Sequence, residues 1–210
     1  AGFMDVVART GTGGSGGSVP HNLTVVPELV ISKTRTASGF GTDLDKWFVW
    51  SSAISGSGNN TMVQLQSNSY NLNMGFFSPN SPTASAMTVH GNINYSGDEL
   101  VYYLFATLAG ISKVGSYTGT AADLNVDCGF TAGARFILIK RTDSTGDWYT
   151  YDSVRGITAG NDPYLLFNTT AAQVTGTNYV ESLNAGFTVT SSAPAALNAS
   201  SGTYIFLAIA

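Results

Sequence analysis

Residues 135–153 read RFILIKRTDSTGDWYTYDS, and this stretch decides the fold. Arg135 to Arg141 is rich in β-formers and contains the apolar run Phe136-Ile137-Leu138-Ile139. Asp143-Ser144-Thr145-Gly146-Asp147 supplies turn chemistry, because short polar side chains bond to nearby backbone and a glycine tolerates positive φ. Trp148 to Ser153 resumes as an aromatic-rich strand, so the stretch predicts two strands and a tight turn. The same phrase occurs at residues 27–52, PELVISKTRTASGFGTDLDKWFVWSS, with a longer turn. Lys33 answers to Lys140, Thr36 to Thr142 or Asp143, and Trp47 to Trp148. The chain therefore reads as a duplication whose clearest unit is this hairpin.

Outward from the hairpins the repeat continues. Met4 to Thr10 opens the first copy and Lys113 to Thr120 the second, with Arg9-Thr10-Gly11-Thr12 aligned on Tyr117-Thr118-Gly119-Thr120. The glycine-rich residues 11–18, GTGGSGGS, read as a loop inside a domain. Short strands are expected at 18–23 and 124–130, at 61–66 and 164–168, and at 86–90 and 187–190. VESLNA at 180–185 is read as a helical turn. Each copy closes on a Ser-Gly turn (Ser96-Gly97, Ser201-Gly202) and an apolar strand, LVYYLFAT at 100–107 and YIFLAIA at 204–210. Near-continuous apolar character predicts burial on both faces at the centre of a sheet. About seven short strands per copy, with turn signals every 8–12 residues, is the pattern of a β-sandwich. The expected fold is all-β, with two homologous β-sandwich halves of jelly-roll or lectin-like type, residues 1–110 and 111–210. The junction Leu108-Ala109-Gly110-Ile111 is short and apolar, so tight packing of the halves is expected. Two tandem sandwiches and one pseudo-symmetric sandwich both satisfy the repeat.

Composition narrows the setting. Charged residues make up 10% of the 210, against roughly 25% in an ordinary soluble domain. Aromatics at 11% and hydrophobics at 43% exclude a disordered chain. The result is a neutral, hydroxyl-rich surface around a packed core. Net charge is −4 and no basic run exists, so no nucleic-acid partner is expected. Lys140-Arg141 and Arg135 read as strand-edge charges that discourage edge pairing. The one cysteine, Cys128, rules out an intramolecular disulfide and a Cys-rich zinc site and reads as a small buried hydrophobe. No apolar run approaches the roughly 20 residues of a bilayer span, and the N-terminus lacks the form of a secretory signal, so no membrane insertion is expected. Ala1 is not an initiator residue, and a trimmed chain or the end of a longer one is expected. The closing strand runs to Ala210, which is expected to be the natural end.

Candidate chemistry is sparse. A serine triad needs a histidine base oriented by a carboxylate, but His21 lies beside Pro20 and His90 ends a strand, neither near a nucleophile elbow. A glycosidase needs two facing carboxylates, one in an apolar setting; Asp152 and Glu99 read instead as strand-edge residues. Asp143-x-x-x-Asp147 lacks the calcium-loop spacing and terminal glutamate and reads as a solvated turn, as do Asp43 and Asp45. No metal or cofactor is expected, and no enzymatic activity. Glycan recognition pairs an aromatic face with amide or carboxylate hydrogen bonds. Alternation sets Trp148, Thr150 and Asp152 on one face of their strand and Tyr149 and Tyr151 on the other. A tryptophan at the same place in both copies, Trp47 and Trp148, reads as a core anchor. The candidate receptor or glycan contacts are therefore Tyr149, Tyr151, Asp143, Asp147, Asn161, Asp162 and Tyr164, with the loops 36–46 and 142–147 as variable tips.

The phrases ISKVGSYTGT (111–120), GFTAGARFILIKRTDSTGDWYTYDSVRG (129–156), NDPYLLFNTTAA (161–172) and NASSGTYIFLAIA (198–210) resemble a domain family of bacteriophage virion proteins found at the C-terminal ends of tail fibres. HNLTVVPELVISKTRT (21–36) and SGDELVYYLFATLAG (96–110) are a more diverged form of the same pattern. The resemblance covers nearly the whole chain. It implies a virion β-sandwich without catalytic residues, at the surface of the phage particle in its host-facing tail fibre, as a homotrimer among other virion proteins. The receptor would be a host-surface glycan or protein. A head decoration protein that stabilises the shell and a polysaccharide-degrading fibre are the other roles the resemblance allows.

Overall fold

The computed structural model describes residues 2–14, 16–37, 46–54, 61–70, 75–77 and 81–210. The strands are β1 (Met4–Thr10), β2 (Gly17–Pro20), β3 (Leu29–Thr36), β4 (Trp47–Ser51), β5 (Val63–Gln64), β6 (Ala86–Val89), β7 (Glu99–Phe105), β8 (Ser112–Thr118), β9 (Leu124–Asp127), β10 (Phe136–Arg141), β11 (Trp148–Asp152), β12 (Tyr164–Leu166), β13 (Val180–Leu183), β14 (Gly186–Val189) and β15 (Thr203–Ile209). A single-turn helix, α1 (Ala195–Asn198), precedes β15. The fold is all-β and every strand pair is antiparallel. Two compact units result. One comprises residues 1–65 and 71–106; the other comprises Gln66–Tyr70 and Thr107–Ala210. The second begins at Thr107 because its hydroxyl accepts the Val114 N–H and the Leu108 N–H donates to the Ser112 C=O, which folds residues 107–111 back onto β8.

The first unit has a five-stranded sheet in the order β1-β7-β3-β4-β5 and a two-stranded sheet, β2-β6. Val19, Met87 and Val89 of the small sheet share one core with Val30, Phe48, Trp50, Tyr102 and Leu104 of the large one. The second unit has the order β8-β15-β10-β11-β12, with β9-β14-β13 as its smaller sheet. There Val126, Phe187 and Val189 pack with Ile137, Ile139, Tyr151 and Phe206. Strand for strand, the two large sheets have the same order. β7 and β15 each lie between two partners and are buried nearly throughout, as their apolar runs predict.

A buried asparagine holds the opening loop in each unit. Asn94 accepts the Thr12 N–H and donates to the C=O of Gly14. Asn198 accepts the N–H groups of Thr120 and Ala121 and donates to the C=O of Ala122 and Thr190. Both satisfy backbone groups that a buried loop would otherwise leave unpaired. VESLNA, read from sequence as a helical turn, is instead strand β13 and its turn, because Val180–Leu183 pairs with β14. The tip of the first hairpin, with Asp43 and Asp45, lies outside the described residues.

Candidate functional site

Both hairpins place their lysine directly opposite their tryptophan. Lys33 pairs with Trp47 and Lys140 with Trp148. The registers extend to rows across each sheet: Ala8, Val101, Lys33 and Trp47 in the first unit, Ser116, Ile205, Lys140 and Trp148 in the second. In the second unit the row is sealed. Trp148 is 2% exposed and Lys140 0%. The Lys140 ammonium donates to the C=O of Gly146 and, at 2.9 Å, to that of Asn68. The Gly146 N–H donates to the same Asn68 oxygen. Burial pulls the Lys140 ammonium down to about 8, opposed by the charge of Asp147. In the first unit the row is a groove of about 490 Å³ lined by Lys33, Thr34, Arg35, Trp47, Val101 and Tyr103. Lys33 Nζ stands 5.6 Å from the Trp47 ring centre, and Trp47 stacks with Tyr103 at 6.3 Å. Trp47 is half-buried, so the reading of both tryptophans as core anchors holds for Trp148 and is corrected for Trp47.

Several sequence-derived contact residues meet in the second unit, mostly beneath the surface. Tyr149 is 7% exposed and Tyr151 0%, which corrects their reading as surface residues. Alternation places them on one face of β11, but that face packs onto the smaller sheet. The half-buried Tyr164 ring lies 5.1 Å from Tyr149, 5.8 Å from Tyr151 and 5.9 Å from Tyr179. Tyr179 is a member of the cluster that sequence reasoning missed; it lies just before the misread β13. Asp162, also taken as a surface residue, is buried because its Oδ2 accepts the N–H groups of Tyr179 and Val180. Its Oδ1 and the Tyr151 hydroxyl are buried without hydrogen-bond partners among the described residues. Burial pushes the Tyr149 phenol up to about 12 and raises that of Tyr151 well above its ordinary value, the latter raised further by the Asp162 charge.

This cluster is the floor under two exposed loops. Asn161 Oδ1 accepts the Gly176 N–H, and Asn178 Oδ1 accepts the Gly160 N–H. Tyr164 and Val174 exchange backbone bonds, and the Thr177 hydroxyl donates to the Asp162 C=O. The loops are thus zipped by their own amides. Among the described residues the Nδ2 groups of Asn161 and Asn178 make no hydrogen bond, which leaves both amides with donors to offer. Amide donors beside a half-exposed tyrosine suit hydroxyl-bearing ligands. Asp143 and Asp147 are elsewhere. Asp143 pairs with Arg141, which holds its carboxyl below the usual range, and accepts the Thr203 N–H. Asp147 accepts from the Asn168 amide. The two carboxylates of the turn therefore serve separate structural bonds.

Cys128 is buried and reduced, its thiol pushed up to about 12 by burial. Among the described residues no group of three or more His, Cys, Asp or Glu side chains could hold a metal ion. No helix among them is long and apolar enough to cross a membrane. No curated protein and no solved structure matches the chain. A family model does match, over residues 1–210, and the chain belongs to that family, described as Domain of unknown function (DUF7483).

Proposed function

We propose that this protein is a structural, non-enzymatic component of a bacteriophage particle, the distal part of a tail fibre that contacts a host-surface glycan or protein. The sequence resemblance supports the virion setting. The observation that carries recognition is the loop pair at 158–161 and 174–178, tied together by its own hydrogen bonds beside the tyrosine cluster, with the amide nitrogens of Asn161 and Asn178 unbonded among the described residues. Preorganised loops lose little entropy on binding. A homotrimer, as the resemblance implies, presents three such surfaces, and multivalency turns weak single contacts into firm attachment.

The test is adsorption of the purified chain to host cells in the presence and absence of soluble surface polysaccharide. Adsorption blocked by polysaccharide, and lowered at least tenfold by the double substitution Asn161→Ala and Asn178→Ala, is expected, because each lost donor contributes about 1 kcal/mol. Absence of adsorption to every permissive host, or adsorption untouched by the double variant, overturns the reading.

A further inference from the structure

β1 is an edge of the large sheet of the first unit, paired on its β7 side alone. The bonds at its two ends fix its phase. The Ala106 N–H donates to the Phe3 C=O and the Gly11 N–H to the Asp98 C=O, so the odd-numbered residues turn their peptide groups towards β7. Met4, Val6, Ala8 and Thr10 therefore turn theirs to the free edge. The side chains of these four are exposed as well, Met4 at 40% and Val6 at 50%. Among the described residues these edge groups make two bonds, both within β1. The Val6 N–H donates to Asp5 Oδ1 at 2.9 Å, and Arg9 Nε donates to the Thr10 C=O at 3.2 Å. β8 holds the same place in the second unit, and its edge is covered. There Ser112 exchanges backbone bonds with Leu108, and the Val114 N–H donates to the Thr107 hydroxyl. A seven-residue edge strand without proline or bulge is a template for another strand.

We infer that β1 pairs with β1 of a second copy, antiparallel and with Val7 opposite Val7, so that two large sheets join across a twofold axis. In this register the strand is complementary to itself. Val6 falls opposite Ala8 of the other copy and Met4 opposite Thr10, so the four residues with outward peptide groups meet one another. Asp5 falls opposite Arg9 at both ends of the contact. Opposite charges in facing positions stabilise a strand pair, and like charges destabilise it. A centre of pairing on Asp5 would set Asp5 against itself, and one on Arg9 would set Arg9 against itself. A centre on Val6 or Ala8 would separate the two charges. The groups needed are available. Arg9 spends three of its five N–H donors, on Thr10, Ser18 and Thr12. Pairing hands the Val6 N–H to the Ala8 C=O of the other copy, which frees Asp5 Oδ1 for the facing guanidinium, while Asp5 Oδ2 keeps the Asn22 N–H. The inference is independent of the receptor-binding role.

The test uses the whole chain. Light scattering across a concentration series reads the mass of the wild type and of Val6→Pro, which deletes an N–H that faces away from β7 and so spares the β1–β7 ladder. Association in even numbers of copies, with a Kd raised at least tenfold in the variant, is expected. A second measurement oxidises Val7→Cys and Thr10→Cys separately; the native Cys128 is buried. Across the twofold axis the two positions 7 are a non-hydrogen-bonded pair with Cα atoms about 4.5 Å apart, which suits a disulfide. The two positions 10 lie about 20 Å apart, six residues out of register. A covalent dimer from Val7→Cys well above that from Thr10→Cys is expected, and it decides the matter alone if Val6→Pro does not fold. A wild type that is only monomeric or only trimeric overturns the proposal and leaves Asp5 and Arg9 as caps that guard the edge. So does association indifferent to Val6→Pro, or a Thr10→Cys variant that links as readily as Val7→Cys.

Discussion

Lys33 and Lys140 have the same strand position and the same tryptophan opposite, yet one borders a groove and the other is sealed inside the molecule. What seals Lys140 is the segment over it, whose Asn68 carbonyl accepts from the ammonium. Burying an ammonium costs free energy unless carbonyls replace its water, and Lys140 has two. The price shows in titration. Because burial lowers its pKa to about 8 from 10.5, between those values the unfolded chain holds a proton that the folded chain has released. Stability from this group therefore rises with pH across that window and is lowest below it. Lys140→Met removes the rise and leaves the Gly146 carbonyl without its partner, at a cost of about 1–3 kcal/mol. Urea titrations of wild type and variant at pH 7, 8, 9 and 10 check this: the wild type should gain on the variant as pH rises. A constant difference would show that Lys140 is not buried as a partly neutral amine.

At the scale of elements, the two units explain each other. Gly97 and Ser201 occupy one position, since the Gly97 N–H donates to the Gly11 C=O as the Ser201 N–H donates to the Gly119 C=O. Both have positive φ, +82° and +61°. Glycine suits that conformation and serine does not, at about 1 kcal/mol of Cβ strain. Ser201→Gly should therefore stabilise the second unit by up to about 1 kcal/mol, less the entropy a glycine adds to the unfolded chain. A thermal melt that falls instead would show that the Ser201 side chain holds the turn. The strands were legible in sequence because residues 136–141 and 148–152 alternate or run apolar between clear turn residues, and the Lys–Trp match gave the hairpin register correctly. The candidate site was legible in part: Asn161, Asp162 and Tyr164 do meet Tyr149 and Tyr151. Their exposure was not legible. A period of two says which residues share a face, and it cannot say that another sheet covers the face of Tyr149 and Tyr151. Nor can it say that residues 66–70 cover Lys140 while Lys33 borders a groove. Asp162 and Tyr179 are joined by a bond between a side chain and a distant backbone, which leaves no periodic trace.

Over the whole molecule, the large sheets of the two units share one strand order, β1-β7-β3-β4-β5 and β8-β15-β10-β11-β12. That order makes each unit depend on its last strand. β1 has β7 as its sheet partner, pairing Met4 with Phe105, and β8 has β15, pairing Ser112 with Ile209. Such non-local pairing must wait for the closing strand and places folding in the slow range of roughly milliseconds to seconds. β15 is the more exacting case, because it joins β8 to β10 through the middle of the sheet and contributes Tyr204, Phe206 and Ala208 to the core. Removing residues 203–210 leaves β8 without a partner, strips one edge of β10 and opens the core beneath Ile137 and Ile139. Hydrogen exchange read by mass spectrometry should then show protection collapsing across β8, β10 and β11, whose paired ladders predict strong protection in the intact chain. Protection that survived in those strands would mean that the sheet closes without β15, and that the common strand order is a likeness of shape without a common dependence on the final strand.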